Sequence, residues 1–178
     1  MSDTIFNYSV PQLSRGLRVA LALLDKAKAF AEEKSIDSTV LINDRLVATM
    51  YDFKKQIQIV SDTAKNAMAR LSNQDLYNID DSETTLDELS ERIQKTLDYV
   101  NGFSADDFKG ADTREVIMQM GPDRQGVFKS GEQYLQSFTL PNFYFHLTTA
   151  YNLLRKNGVE VGKLDFMGDV DIELRAKS

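Results

Sequence analysis

Cysteine is absent from this 178-residue chain, which removes disulfides, thiolate zinc sites and cysteine nucleophiles together. Histidine occurs once, at position 146, so any metal site would have to be completed by carboxylates, amides or water. Basic charge is in deficit, with 21 Lys and Arg against 27 Asp and Glu and a net charge of -6. A nucleic-acid surface needs a basic face to meet phosphates, and no stripe of Lys and Arg interleaved with aromatics supplies one. No apolar run approaches the ~20 residues that span a bilayer. The opening MSDTIFNYSV lacks the basic start and apolar middle of a signal peptide. These deficits predict a cytoplasmic protein with neither a nucleic-acid nor a membrane partner.

What is present reads as one globular domain over residues 1–178, with 42% hydrophobic and 27% charged residues. A chain of this length buries roughly two-thirds of its unfolded surface. Ser9, Pro11 and Gln12 read as a helix start, and Leu13, Leu17, Ala20, Leu24, Ala27 and Ala31 then recur at steps of four and three. That first helix should end near Lys34. Asp37 or Ser38 could cap a short segment holding Leu41 and Leu46. From about Met50 a second main helix follows on Phe53, Ile57, Val60, Ala64, Ala67 and Leu71.

The polar run Ser72 to Thr84 reads as a solvated connector, and Thr85-Leu86-Asp87-Glu88 as a capping box. The third helix carries Leu86, Leu89, Ile93, Leu97 and Val100 on one face and stops at Gly102. Glu115 to Met120 and Gln125 to Lys129, separated by GPDR, predict a small β-hairpin. Ser130 then caps a short helix to Phe138, Pro141 marks a break or kink, and Gly158 closes the fourth main helix. The thirteen connector residues reach about 43 Å when extended, more than the ~30 Å of a twenty-residue helix. The connector can therefore start the third helix parallel to the second. The predicted fold is all-α, a four-helix bundle in up-down-down-up order with a hairpin before the last helix.

Three segments carry a family resemblance: LPNFYFHLTTAYNLLRKNGVEVGKLDFMG from Leu140, RLVATMYDFKKQIQIVSDTAKNAMARL from Arg45 and ETTLDELSERIQKTL from Glu83. Together they resemble an uncharacterised bacterial and fungal family, a domain of unknown function within the DinB/YfiT-like superfamily. Thr49 and Asp52 depart from that pattern, where Asp and Pro are expected. The resemblance implies the same up-down-down-up bundle. It also implies a divalent-metal site, held in many members by one histidine on helix two and an H-x-x-x-H pair on helix four, and in some of them a thiol-dependent transferase activity. The second helix-four histidine of those members stands nine residues before the Arg of a Leu-Arg or Met-Arg pair. His146 stands nine residues before Arg155 of Leu154-Arg155, so the other two ligand positions fall on Asn142 and near Gln56. Two imidazoles have become amides.

On a helix turning about 100° per residue, Phe143, Ala150 and Leu154 lie to one side of His146 and Asn142 and Thr149 to the other. His146 thus sits at the shoulder of the apolar stripe. Gln56 holds a similar shoulder on the second helix. Gln56, Asn142, His146 and Thr149 are therefore the candidate ligand-binding residues. A self-satisfied buried trio ranks ahead of a metal-free small-molecule pocket, and a working metal site ranks last, because carboxamide oxygens replace imidazole poorly at a transition metal.

No cofactor is expected, and no catalytic residue can be assigned. A Ser-His-Asp triad lacks a G-x-S-x-G elbow, and Asp80, Asp81, Glu83, Asp87 and Glu88 lack the spacing of a calcium loop. The aromatics Phe138, Phe143, Tyr144, Phe145 and Tyr151 surround the fourth helix, and Tyr144 and Phe145 are expected to point away from the core. That surplus predicts a homodimer. The expected function is a metal-independent small-molecule-binding or interaction module. The alternative is a metal- or thiol-dependent transferase or hydrolase using His146.

Overall fold

The structure is a computed structural model that describes residues 2–170, 172–173 and 175. Helix α1 runs Ser2–Lys34, beginning seven residues ahead of the expected Ser9 cap and carrying Pro11 inside it. The apolar stripe starts at Ile5, which is buried with Leu13 and Leu17, and that burial outweighs the missing proline N–H. Ser9 does not cap; its hydroxyl donates to the Ile5 carbonyl at 2.6 Å within the helix. Ser35 takes a left-handed φ of 54°, and the Ile36 amide donates back to the Ala31 carbonyl, closing α1 where the periodicity ends.

The short helix α2 is Thr39–Ile42. Asp37 accepts from the Thr39 amide at 2.9 Å, whereas Ser38 makes no side-chain cap bond and Leu46 lies beyond the helix. Helix α3, Phe53–Ser72, is the second main helix, and its N-cap is Asp52, which accepts from the Lys55 amide at 2.9 Å. The residue that departs from the family pattern thus supplies the cap. Helix α4, Leu86–Asn101, opens with the expected capping box of Thr85 and Glu88. A 3-10 turn at Ala105–Phe108 then sends Phe108 fully into the core.

Strands β1, Val116–Gln119, and β2, Gln125–Phe128, pair antiparallel with Val116 opposite Phe128, forming the expected hairpin. Helix α5, Gly131–Tyr134, is capped by Ser130, which accepts from the Gln133 amide. Gly131 sits where a Cβ would come within 2.2 Å of the Ala111 carbonyl oxygen, so only glycine allows that approach.

Of the break or kink expected at Pro141, no break occurs, and the helix is distorted just ahead of it. A π-turn over Leu135–Thr139 joins α5 directly to α6, Leu140–Lys156, the fourth main helix. The Leu140 amide reaches back five residues to the Leu135 carbonyl, so the path is already widened when Pro141, which has no N–H to offer, enters at the first turn. Thr139 is buried in that turn with its hydroxyl unpartnered. Gly158, at φ 89°, ends α6, and α7, Lys163–Met167, packs against α1.

Side-chain contacts fix the helix directions. Ser14 bonds Asn101 and Lys28 pairs with Asp87, so α1 and α4 are antiparallel. Tyr144 bonds Gln12 while Phe30 lies beside Gly158, so α1 and α6 run parallel. Asn142 bonds Thr63 while His146 meets Gln56, so α3 and α6 are antiparallel. Helices α3 and α4 therefore run the same way, and the order is up-down-down-up. Among the described residues no helix is long and apolar enough to cross a membrane.

Candidate functional site

The seam between α3 and α6 places the single histidine against an amide. His146 Nδ1 lies 2.6 Å from Gln56 Oε1, and Gln56 Nε2 donates to the Tyr51 carbonyl at 3.0 Å. A carbonyl can only accept, so the Gln56 amide nitrogen must face Tyr51 and its oxygen must face the imidazole. Nδ1 is therefore the protonated ring nitrogen. Burial holds the His146 pKa below the usual imidazole value, which leaves the ring neutral with a lone pair on Nε2. That nitrogen finds no hydrogen-bond partner among the described residues, yet it is not fully sealed from solvent. The His146 residue is 8% exposed, and the Phe145 ring, 56% exposed, stands edge-on to it at 5.1 Å between centroids.

The other two candidates are placed separately. Asn142 donates to the Thr63 hydroxyl at 2.8 Å, and Thr149 donates to the carbonyl of Phe145 in its own helix at 2.7 Å. The structure thus brings His146 to Gln56 and Asn142 to Thr63, two bonded pairs along the seam. Tyr144, expected to point outward, instead packs against the core and donates to Gln12 on α1 at 3.1 Å. Phe145 does point out.

A second polar cluster escaped the reading of the sequence. Arg92 of α4, only 2% exposed, bonds Glu83 at 2.8 Å, Asp62 at 2.7 Å and the Asp80 carbonyl at 3.1 Å, and pairs with Asp81 at 3.0 Å. Lys55 also pairs with Asp81, and Gln58 donates to Glu83. The connector is therefore pinned between α3 and α4, with Glu83 buried, where a solvated crossover was expected. Burial works against the Arg92 charge, but its hydrogen bond to Glu83 and the nearby Asp62 outweigh that and hold its pKa above the usual value. For Asp81 burial is again the largest opposing cause, outweighed by Lys55 and Arg92, which keep the carboxyl below its usual range. The only sequence signal was an arginine one step from Ile93 on the apolar stripe.

Residues 5–167 match the family described as Domain of unknown function (DUF1993). The chain belongs to the DUF1993 family. The DUF1993 protein is also similar to a solved structure, a DinB family member protein from Shewanella denitrificans. The two are 40% identical with a TM-score of 0.88, over 98% of this chain and 97% of that one. No curated protein matches it.

The DinB resemblance brings with it a divalent metal on three imidazoles, and the donors of this DUF1993 chain do not fit one. The Gln56 oxygen already accepts from Nδ1–H, the Asn142 amide nitrogen is turned to Thr63, and the Thr149 hydroxyl is turned into its own helix. One imidazole with two neutral carboxamides is a weak set for a transition metal. Among the described residues no group of three His, Cys, Asp or Glu side chains gathers as a metal site.

Proposed function

We propose that this DUF1993 protein is a metal-independent binding module in which His146 is the polar anchor. The observation that carries this reading is the His146–Gln56–Tyr51 chain of hydrogen bonds, which supports a fixed tautomer and leaves Nε2 as an acceptor. A ligand with an N–H or O–H group would bond there. A neutral ring of this kind could also serve as a general base. The fixed tautomer and the open acceptor support binding as the first reading.

The test uses protein purified without an affinity tag. Elemental analysis should find no stoichiometric transition metal, and added zinc or nickel should leave the melting temperature unchanged. Because the chain has one histidine, its ring nitrogens give a single pair of 15N resonances. At neutral pH they should report a proton on Nδ1 and none on Nε2. A bound metal, or a zinc-dependent stabilisation that vanishes in His146→Ala, would overturn the proposal and restore the enzyme reading.

A further inference from the structure

The C-terminal end of α3 and strand β1 flank an open surface cleft of about 420 Å³, at the far end of α3 from Gln56. Its size falls in the range of small-molecule sites. Its walls are held in place from both sides. Asn73 takes a left-handed φ of 59° to end α3, and the Gln74 amide donates back to the Ala69 carbonyl at 2.8 Å. Arg114, at the foot of β1, donates to the carbonyl of Leu71, and Val116 is anchored in the core. The cleft is therefore preformed.

The charged groups lining it are Arg70, Asp75 and Glu115, and none of them pairs with another across the space. Arg70 is held from behind instead. It donates to the hydroxyl of buried Tyr134 at 3.1 Å, with its guanidinium carbon 5.9 Å from that ring's centroid. A cation restrained by a neutral phenol keeps its remaining donors for something else. Leu76 and Ile117, both exposed, supply apolar walls, and the side chain of Gln119 adds an amide.

This combination selects by charge. A simple anion would meet Arg70 but also two carboxylates and the negative C-terminal end of α3. A simple amine would meet the carboxylates but also Arg70. A molecule carrying both signs satisfies all of them. We propose that this cleft binds a small zwitterion with an apolar side chain, an amino acid or dipeptide. Its carboxylate lies on Arg70, its ammonium faces Asp75 and Glu115, and its side chain rests on Leu76 and Ile117. This site does not depend on His146.

The test titrates leucine and leucyl-leucine into 15N-labelled protein, with leucinamide and N-acetylleucine as probes of one charge each. At least one zwitterion should shift the amides of residues 73–76 and 115–119, and each single-charge analogue should bind about tenfold more weakly. Glu115→Gln, at an exposed position just before β1, should weaken zwitterion binding about tenfold without moving the melting temperature. Arg70→Lys keeps the charge and should also weaken binding. His146→Ala should leave it unchanged, so failure here and failure of the His146 reading are separable. The proposal falls if neither zwitterion shifts these amides at about 10 mM, a concentration that detects even millimolar affinity. It falls equally if N-acetylleucine binds as well as leucine, or if the shifts gather around His146.

Discussion

At the residue scale, His146 has one nitrogen committed to Gln56 and one held ready. Removing the ring takes away buried contacts on α6 and strips the Gln56 oxygen of its donor. His146→Ala should therefore cost about 2–4 kcal/mol from the cavity and the unpaired amide together, read as a lower denaturation midpoint. The pH dependence has a definite sign. Burial depresses the folded pKa below the unfolded value of about 6.5, so as pH falls through 6.5 the unfolded chain takes up its proton first. Stability contributed by the neutral ring is full above that value and declines as pH falls toward the folded pKa. Urea midpoints of wild type and His146→Ala should converge as pH drops from about 7.5 to about 5.5. A gap that stays constant would show that the ring is not buried as a neutral group.

At the scale of elements, the connector between α3 and α4 is the unusual piece, because it carries acids into a buried arginine. Truncating one partner of a buried, hydrogen-bonded pair leaves the other charge without compensation. Arg92→Ala should cost about 3–5 kcal/mol. Hydrogen exchange should quicken in residues 80–84, and Thr85 should remain capped. Normal protection there in the variant would mean that the connector is held by something other than Arg92. The elements themselves were largely legible from local chemistry. The Thr85–Glu88 capping box, the GPDR turn between the strands and the left-handed Gly158 are patterns a few residues long, and each stands where it was expected. The errors fell where distant burial overrode such signals. Ser9 and Pro11 suit a helix start because proline fits a first turn, but the stripe running back to Ile5 extends the helix past them.

At the scale of the whole molecule, several large apolar side chains face solvent. Phe145, Tyr51 and Val47 are exposed, and covering such side chains is what the proposed homodimer would do. Light scattering at micromolar concentration should then read twice the 20.1 kDa chain mass, and a monomer would refute the dimer. Phe145→Ser should return the dimer to monomer.

The sequence by itself determined the four amphipathic helices, the capping box of α4, the hairpin and a connector long enough for the parallel α3–α4 step, because periodicity and capping act over a few neighbouring residues. It also supplied the constellation of His146, Gln56, Asn142 and Thr149 through helical spacing and a family likeness. Only the tertiary structure decided which of these side chains meet. It paired His146 with Gln56 and Asn142 with Thr63, enclosed Arg92 among three carboxylates, and opened the cleft between Arg70 and Glu115. Those pairings join residues far apart in the chain, and they depend on how each helix is rotated and how far it slides along its neighbour, which no local pattern encodes.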